Sequence, residues 1–217
     1  PRYWVGSLHA WGFAMNDALD QYRRRAGVYD LELAAFEPIR RSAIARLKLQ
    51  RGDAVLDVGC GTGLSFDGLQ QAIGRWGRII AIEQCPEMLD QARARVAHAG
   101  WTNVTLLQAA VETAAIPCRV DAALFHFTHD IVRNPNAVCN VVDHLKPGAT
   151  VVAAGLQWAS PWNWAVNCCV MGAALYSVTS LDGLDRPWSV LAEHVGEMQA
   201  SAELLGGAYI ASGVYSR

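Results

Sequence analysis

The sequence has little charge and no excess of positive charge: Lys, Arg, Asp and Glu make up 18% of its 217 residues, and the formal net charge is −2. A chain of this kind has no overall field to attract a polyanion, which argues against nucleic acid as a substrate or partner. Arg23–Arg25 and the pair Arg40 and Arg41 are locally basic. A short charge run of this type predicts a solvated helix face.

Charge is absent altogether from residues 147–181, which contain no Asp, Glu, Lys, Arg or His. A membrane-spanning helix needs about 20 consecutive apolar residues. Here Pro161, Asn163 and Asn167, among others, interrupt the apolar run, and its first part has the composition of a strand. We therefore expect a buried strand followed by an apolar helix, and membrane contact is disfavoured.

The six cysteines lack both the C-x-x-C spacing of metal sites and the density of a disulfide framework. We expect reduced, mostly buried thiols. The pair Cys168 and Cys169 is expected to pack on a helix, with a soft-metal or thiol site as the alternative. The chain also lacks the charged start and long apolar core of a signal peptide, which predicts a cytoplasmic protein.

The most informative feature that is present is the segment DVGCGTG at residues 57–63, between an apolar strand and a helix. Glycines allow a sharp turn and close approach of a ligand to the backbone, and a helix N-terminus offers unpaired N–H groups. Asp57 makes this turn acidic, which argues against a phosphate cradle and for a ligand with a cationic end. A second apolar strand ends at Glu83, where a dinucleotide-type fold places the carboxylate that binds ribose.

With this motif the chain resembles the class I S-adenosylmethionine (SAM)-dependent methyltransferases, whose first motif is spelled almost as residues 57–63 are here. The resemblance covers about residues 53–155 and implies SAM as the cofactor. It places the methionine portion against the glycine turn, the ribose at Glu83, and the adenine near Met88, for which core packing is an equal alternative. The implied cofactor-binding residues are Asp57, Gly59, Cys60, Gly61, Gly63, Glu83, Gln84, Met88, Ala110, Val111, Phe125 and His126.

One position departs from the family pattern. After the third strand the family usually has an Asp that accepts from the adenine amino group, and Ala110 stands at that position. The backbone of Val111 can still contact the ring, and Glu112 is an alternative acceptor. A lost charged hydrogen bond would weaken binding by about 1.5–3 kcal/mol.

The candidate chemistry lies in residues 125–130, after the fourth strand, which the resemblance places beside the sulfonium. The segment lacks the Asn/Asp-Pro-Pro-aromatic sequence of amino-directed DNA methyltransferases, which removes that class. His126 or His129 has a suitable intrinsic pKa to take a proton from an acceptor, with Asp130 beside them. The alternatives are a packed His126 and a turn formed by His129 and Asp130. Because methyl transfer needs no metal, we expect none.

The alternation of strands and helices predicts an α/β fold: a Rossmann-like, seven-stranded, mostly parallel sheet with helices on both faces. We divide the single methyltransferase domain into four parts. These are an N-terminal helical cap at 1–50, a SAM-binding core at 51–155, a lid insertion at 156–196 after strand five, and a terminal strand pair at 197–217. Tyr29 and Asp30 resemble the Tyr-Asp that quinone- and phospholipid-methylating relatives place over the cofactor, which makes Tyr29 a further catalytic candidate.

These features favour a SAM-dependent methyltransferase acting on a small, largely apolar or aromatic acceptor. Four of the eight tryptophans, at 158, 162, 164 and 188, fall in the predicted lid, where they either contact substrate or form a core-facing or oligomer-forming helix. C-, O- and N-methylation stay open, as does a homo-oligomer. The alternatives are a phospholipid-headgroup N-methyltransferase at a membrane surface and a non-catalytic partner subunit with the SAM fold.

Overall fold

The computed structural model describes residues 36–177 and 181–216 of the chain. The helices are α1 Glu37–Arg46, α2 Phe66–Ile73, α3 Pro86–Ala99, α4 His129–Val132, α5 Pro135–Asp143, α6 Trp164–Ser177 and α7 Ser189–Val195, with 3₁₀ helices at Val111–Thr113 and Leu204–Gly206. The strands are β1 Ala54–Val58, β2 Arg78–Glu83, β3 Val104–Gln108, β4 Val120–His126, β5 Leu145–Leu156, β6 Met198–Glu203 and β7 Ala208–Val214.

The seven strands form one sheet in the order β3-β2-β1-β4-β5-β7-β6. The first five pair in parallel, and β7 runs antiparallel to both of its neighbours. This confirms the predicted fold class. Because β1 lies between β2 and β4, the connections leave in opposite directions from it, and an open α/β sheet binds ligands in the crevice at such a point.

Two cores lie on the two faces of the sheet. On one face α1, α2 and α3 cover alternate strand residues such as Val55, Ile79 and Leu124. On the other face α5 and α7 cover the intervening ones, such as Leu56 and Phe125. The predicted alternation of buried strands and covering helices therefore holds on both faces, as parallel strands require.

Local sequence signals set several helix ends. The Asn134 side chain caps α5 by accepting from the backbone N–H of Asn136 at 3.0 Å, and Pro135 occupies the first turn, where its missing N–H costs nothing. Gly100 ends α3 in the left-handed conformation.

The expectation of mostly buried cysteines was wrong. Only Cys85 of the six cysteines is buried, and Cys139, Cys168 and Cys169 are exposed. Strand β5 reaches 12 residues because Leu145 pairs with Val120 of β4 and residues 150–156 pair with β7. In the part of the chain that the structure describes, no helix has the length and hydropathy to cross a membrane.

Candidate cofactor and catalytic site

The turn after β1 is built from three glycines in the left-handed region, Gly59, Gly61 and Gly63, with φ of 69°, 55° and 80°. Side chains are poorly tolerated at such φ values. A Cβ on Gly59 would also lie 2.6 Å from Thr128 Cγ2 and 2.8 Å from Ile131 Cδ1. The β1 turn therefore touches the turn after β4, and the two together form one wall of the crevice.

Gly59→Ala is expected to disrupt this contact and to abolish cofactor binding. Gly100→Ala is the matched control, because Gly100 has φ 68° and nothing within 4 Å of its Cβ position. The control should lose about 1–2 kcal/mol of stability from the backbone alone. Denaturant unfolding and SAM titration of both variants check this. If Gly59→Ala lost no more stability than Gly100→Ala and still bound SAM, the glycine turn would not be part of the cofactor site.

Asp57 is 1% exposed, and its Oδ2 atom has no hydrogen-bond partner within the described residues. Burial raises the pKa of this carboxyl from 3.8 to about 7; the Arg40 guanidinium lowers it and the Glu83 carboxylate raises it further. A buried acceptor without a partner is costly unless something donates to it. The atom therefore marks the place for a cationic donor at the base of the glycine turn.

Glu83 joins the ends of β1 and β2. Its Oε2 accepts from Gly61 N at 3.0 Å and its Oε1 accepts from Cys85 N at 2.8 Å. Burial raises the pKa of Glu83, and backbone N–H groups of Cys85, Gly61 and Gln84 oppose that rise. Each carboxylate oxygen has lone-pair capacity left. Glu83 can thus shape the glycine turn and accept from a ligand hydroxyl together.

Arg40 is the residue of this site that sequence reasoning missed. It was expected to lie on a solvated face with Arg41, but Arg40 is 3% exposed, whereas the Arg41 side chain is 79% exposed. Both arginines pair with Glu37. The charge of Arg40 lowers the pKa of Asp57 and also that of His126. The charge of Arg40 on α1 therefore acts on titratable groups of both β1 and β4.

His126 ends β4 on the same sheet face as Asp57. Its Nε2 and the Oγ1 of Thr128 are buried without a hydrogen-bond partner among the residues described. Burial, aided by Arg40, lowers the pKa of His126 from 6.5 to about 3. Phe127, which lies between His126 and Thr128, has a φ of 56°, a strained value for a bulky residue. Asp57, His126 and Thr128 thus place three buried polar atoms without a partner among the described residues at the carboxyl ends of β1 and β4.

His129 and Asp130 begin α4 just beyond this point. His129 Nε2 lies 3.2 Å from the Asp182 carbonyl oxygen, so the ring can donate a hydrogen bond to this residue of the predicted lid. Burial lowers the pKa of His129, Arg133 lowers it too, and Asp130 and the Asp182 contact raise it. This ring nitrogen is therefore engaged with the 181–186 segment, close to where Arg133 approaches Gly183.

Two residues of the predicted cofactor site are buried in the protein. Met88 and Phe125 are 2% and 1% exposed, and Phe125 belongs to the core under α5. Ala110 precedes the 3₁₀ turn in which Val111 is buried. Asn140 donates from Nδ2 to the carbonyl of Val111 at 2.7 Å and to that of Ala114 at 3.0 Å. Asn140, which no sequence motif marks, thus fixes the loop that Ala110 and Val111 occupy.

Two groups of predicted residues lie elsewhere. Tyr29, with the rest of residues 1–35, lies outside the described residues. Of the lid tryptophans, Trp162 and Trp164 are 93% and 72% exposed. Trp158 packs in the small core under α6, and Trp188 lies 4.8 Å from the Tyr209 ring.

Comparison with known proteins agrees with this geometry. Residues 55–148 match the family model described as a methyltransferase domain. The protein-L-isoaspartate O-methyltransferase of Ignicoccus hospitalis is 40% identical over 60 residues, 28% of each chain. Aklanonic acid methyltransferase DauC of a Streptomyces species is 27% identical over 137 residues, 60% of each chain. The matches thus span between about a quarter and three fifths of these curated relatives.

Solved structures share the fold at low identity. N-methyltransferase NodS from Bradyrhizobium japonicum in complex with S-adenosyl-L-homocysteine superposes with a TM-score of 0.62 at 17% identity, covering 86% of this chain and 91% of that one. The residues matched by the family model, 55–148, contain the glycine turn, Glu83 and the β4 turn. Residues 55–148 therefore match a methyltransferase domain, and the described residues have the fold of SAM-dependent methyltransferases.

Proposed function

We propose that the protein transfers the methyl group of SAM to a small, largely apolar or aromatic metabolite. The observation that carries the proposal is the acidic glycine turn, in which Asp57 is buried and one of its oxygens has no hydrogen-bond partner among the described residues. A phosphate-binding turn would gain nothing from such a carboxylate. A sulfonium amino acid carries an ammonium group that suits it.

The residues present fit SAM, which when bound would supply an electrophilic methyl group. Asp57 would accept from the ammonium, and Gly59 and Gly61 leave room for the amino-acid tail. Glu83 would accept from the ribose hydroxyls. Arg40 places a buried positive charge beside Asp57, which holds part of that carboxyl population ionised near neutral pH. Ala110 offers no carboxylate to the adenine, so the Val111 backbone is the proposed contact.

The acceptor would bind beside the β4 turn. With a pKa of about 3, His126 is uncharged at neutral pH, and a proton acceptor works best with a pKa near the working pH. We therefore assign His126 the role of an uncharged hydrogen-bonding group that orients the acceptor. The small-molecule substrate class is supported by the relative DauC, whose name gives aklanonic acid as its substrate.

His129 is proposed to act through the lid, since its Nε2 is engaged with Asp182. His129→Ala should raise the KM for the acceptor severalfold and speed proteolytic cleavage near residues 181–186, with kcat changing less. His129→Gln, whose amide can donate to the same carbonyl, should restore both properties. A base at this position would instead make kcat fall in both variants and change the pH profile of kcat.

Transfer from labelled SAM into a metabolite extract, followed by mass spectrometry of labelled products, tests the proposal. We expect a labelled small molecule that is absent with Gly59→Ala. Label found only in macromolecules would overturn the substrate class. SAM binding without any labelled product would support the partner-subunit alternative.

A further inference from the structure

Helix α6 presents an apolar stripe that the described residues leave uncovered. Trp164, Cys168, Met171 and Leu175 recur at the spacing of one helix face, and all four are exposed. The opposite side packs through Val170 and Ala174 into a small core. A helix with apolar residues on both sides is usually buried on both, so this stripe indicates a missing partner.

The stripe continues onto neighbouring elements. Trp162 lies just before α6. The 3₁₀ helix that carries Leu204 and Leu205 contacts the start of α6, because Asn163 Nδ2 donates to the Leu205 carbonyl at 3.0 Å. Of the eight large exposed apolar side chains in the described residues, six lie on this surface: Trp162, Trp164, Met171, Leu175, Leu204 and Leu205. With no charged residue between 147 and 181, an occupant needs an apolar face rather than a charged one.

The N-terminal sequence of the same chain, which lies outside the described residues, predicts such a face. In residues 4–22 the side chains that share one side at helical spacing are Trp4, Leu8, Trp11, Met15, Ala18, Leu19 and Tyr22. Within the same residues the opposite side would carry Gly6, His9, Phe13, Asn16, Asp17 and Asp20, of which only Phe13 is large and apolar. This periodicity predicts an amphipathic helix whose apolar side needs a partner.

The segment also enters the described structure in the right place. Phe36 packs 4.7 Å from Phe127. Phe127 N donates to the Ala154 carbonyl at 2.7 Å, near the end of β5, from which the chain continues to α6. Residues 23–35 separate the amphipathic pattern from Phe36, and about 3.3 Å per extended residue gives ample reach.

We propose that residues 4–22 dock their apolar side on the α6 stripe and so complete a helical layer beside the crevice. The inference does not depend on SAM chemistry. It explains why α6 tolerates exposed Trp164 and Leu175, since each buried large apolar side chain contributes to stability. It also gives the charge-free stretch an intramolecular partner rather than a membrane.

Two adjacent cysteines provide the test. Cys168 lies on the stripe and Cys169 lies beside it, both exposed in α6. In the full-length protein a maleimide, read residue by residue by mass spectrometry, should label Cys168 at least tenfold more slowly than Cys169. Trp11→Asp should remove this difference. Phe13→Asp is the matched control, because Phe13 lies on the opposite side of the same predicted helix and should leave the labelling unchanged.

Three results would overturn the proposal. Equal labelling of the two cysteines would show that nothing covers the stripe. Protection that disappears on dilution, together with a dimer in sedimentation, would assign the stripe to a second copy. Protection that appears only with neutral phospholipid vesicles would assign it to a membrane. None of these outcomes depends on whether the protein binds SAM, so they do not bear on the proposed function.

Discussion

Asp57→Asn should weaken SAM binding at least about a hundredfold and at the same time stabilise the ligand-free protein at pH 8. The variant keeps the shape of the side chain but loses the charge that would hold an ammonium group. The same charge is costly without ligand, because it is buried and one oxygen has no partner among the described residues. Sites that bind charged ligands commonly exchange stability for function in this way.

The pH dependence has a definite sign. Because the folded-state pKa of Asp57 is raised from 3.8 to about 7, the folded protein binds more protons than the unfolded chain between these values. The contribution of this group to the free energy of unfolding therefore falls as pH rises from about 4 to 7 and is constant above. At about 1.4 kcal/mol per pKa unit, the gain in Asp57→Asn should reach a few kcal/mol at pH 8 and vanish near pH 4.

Thermal unfolding of both proteins from pH 4 to 8, with SAM titrations at pH 8, measures this. Asp143→Asn is the control, because Asp143 is an exposed carboxylate on α5 and neither quantity should change. If Asp57→Asn were less stable than the unmodified protein at pH 8, the carboxylate would have a partner that supports it. If Asp57→Asn bound SAM as tightly as the unmodified protein, Asp57 would not be part of the cofactor site.

Arg40→Met should move the pH dependence of SAM binding upward. Arg40 lowers the pKa of Asp57 and of His126, so its loss raises both values. A larger share of Asp57 is then protonated at pH 7, and the pH at which SAM binding is half-maximal rises above 7. The variant should also unfold more easily, because Glu37 loses a partly buried pairing partner.

Arg41→Met is the matched control, since Arg41 neighbours Arg40 in sequence and binds the same Glu37, but from solvent. Exposed pairs contribute little, so its SAM affinity and its pH profile should be unchanged. SAM titrations from pH 6 to 9 and the NMR titration of the His126 ring distinguish the two variants. Equal shifts in both would mean that net charge, not the buried guanidinium, sets the pKa of Asp57.

The glycine turn and Glu83 were predictable from sequence because their chemistry is local: a strand, a turn that only glycine accepts, and an acid at the next strand end. Arg40 was not, because the sequence shows two adjacent arginines. Only the packing of α1 on the sheet decides which of them is buried. Asn140 and the contact of His129 with Asp182 likewise join elements 26 to 53 residues apart.

The fold itself followed from pattern, since buried parallel strands and covering helices have strong periodicities. The α6 segment shows where pattern is insufficient. Its composition predicts an apolar helix, but composition does not reveal that one apolar side stays exposed. The cysteines on it, Cys168 and Cys169, were expected to be buried for the same reason.

The central claim is that the acidic glycine turn holds the amino-acid end of SAM. Calorimetry comparing S-adenosylhomocysteine with methylthioadenosine, two thioethers of the same nucleoside of which only the first carries that end, tests it most directly. We expect one site per chain, with methylthioadenosine bound at least about a hundredfold more weakly, or roughly 2.7 kcal/mol. Asp57→Asn should weaken S-adenosylhomocysteine to that level. Equal affinities for the two ligands, or binding of neither, would contradict the claim.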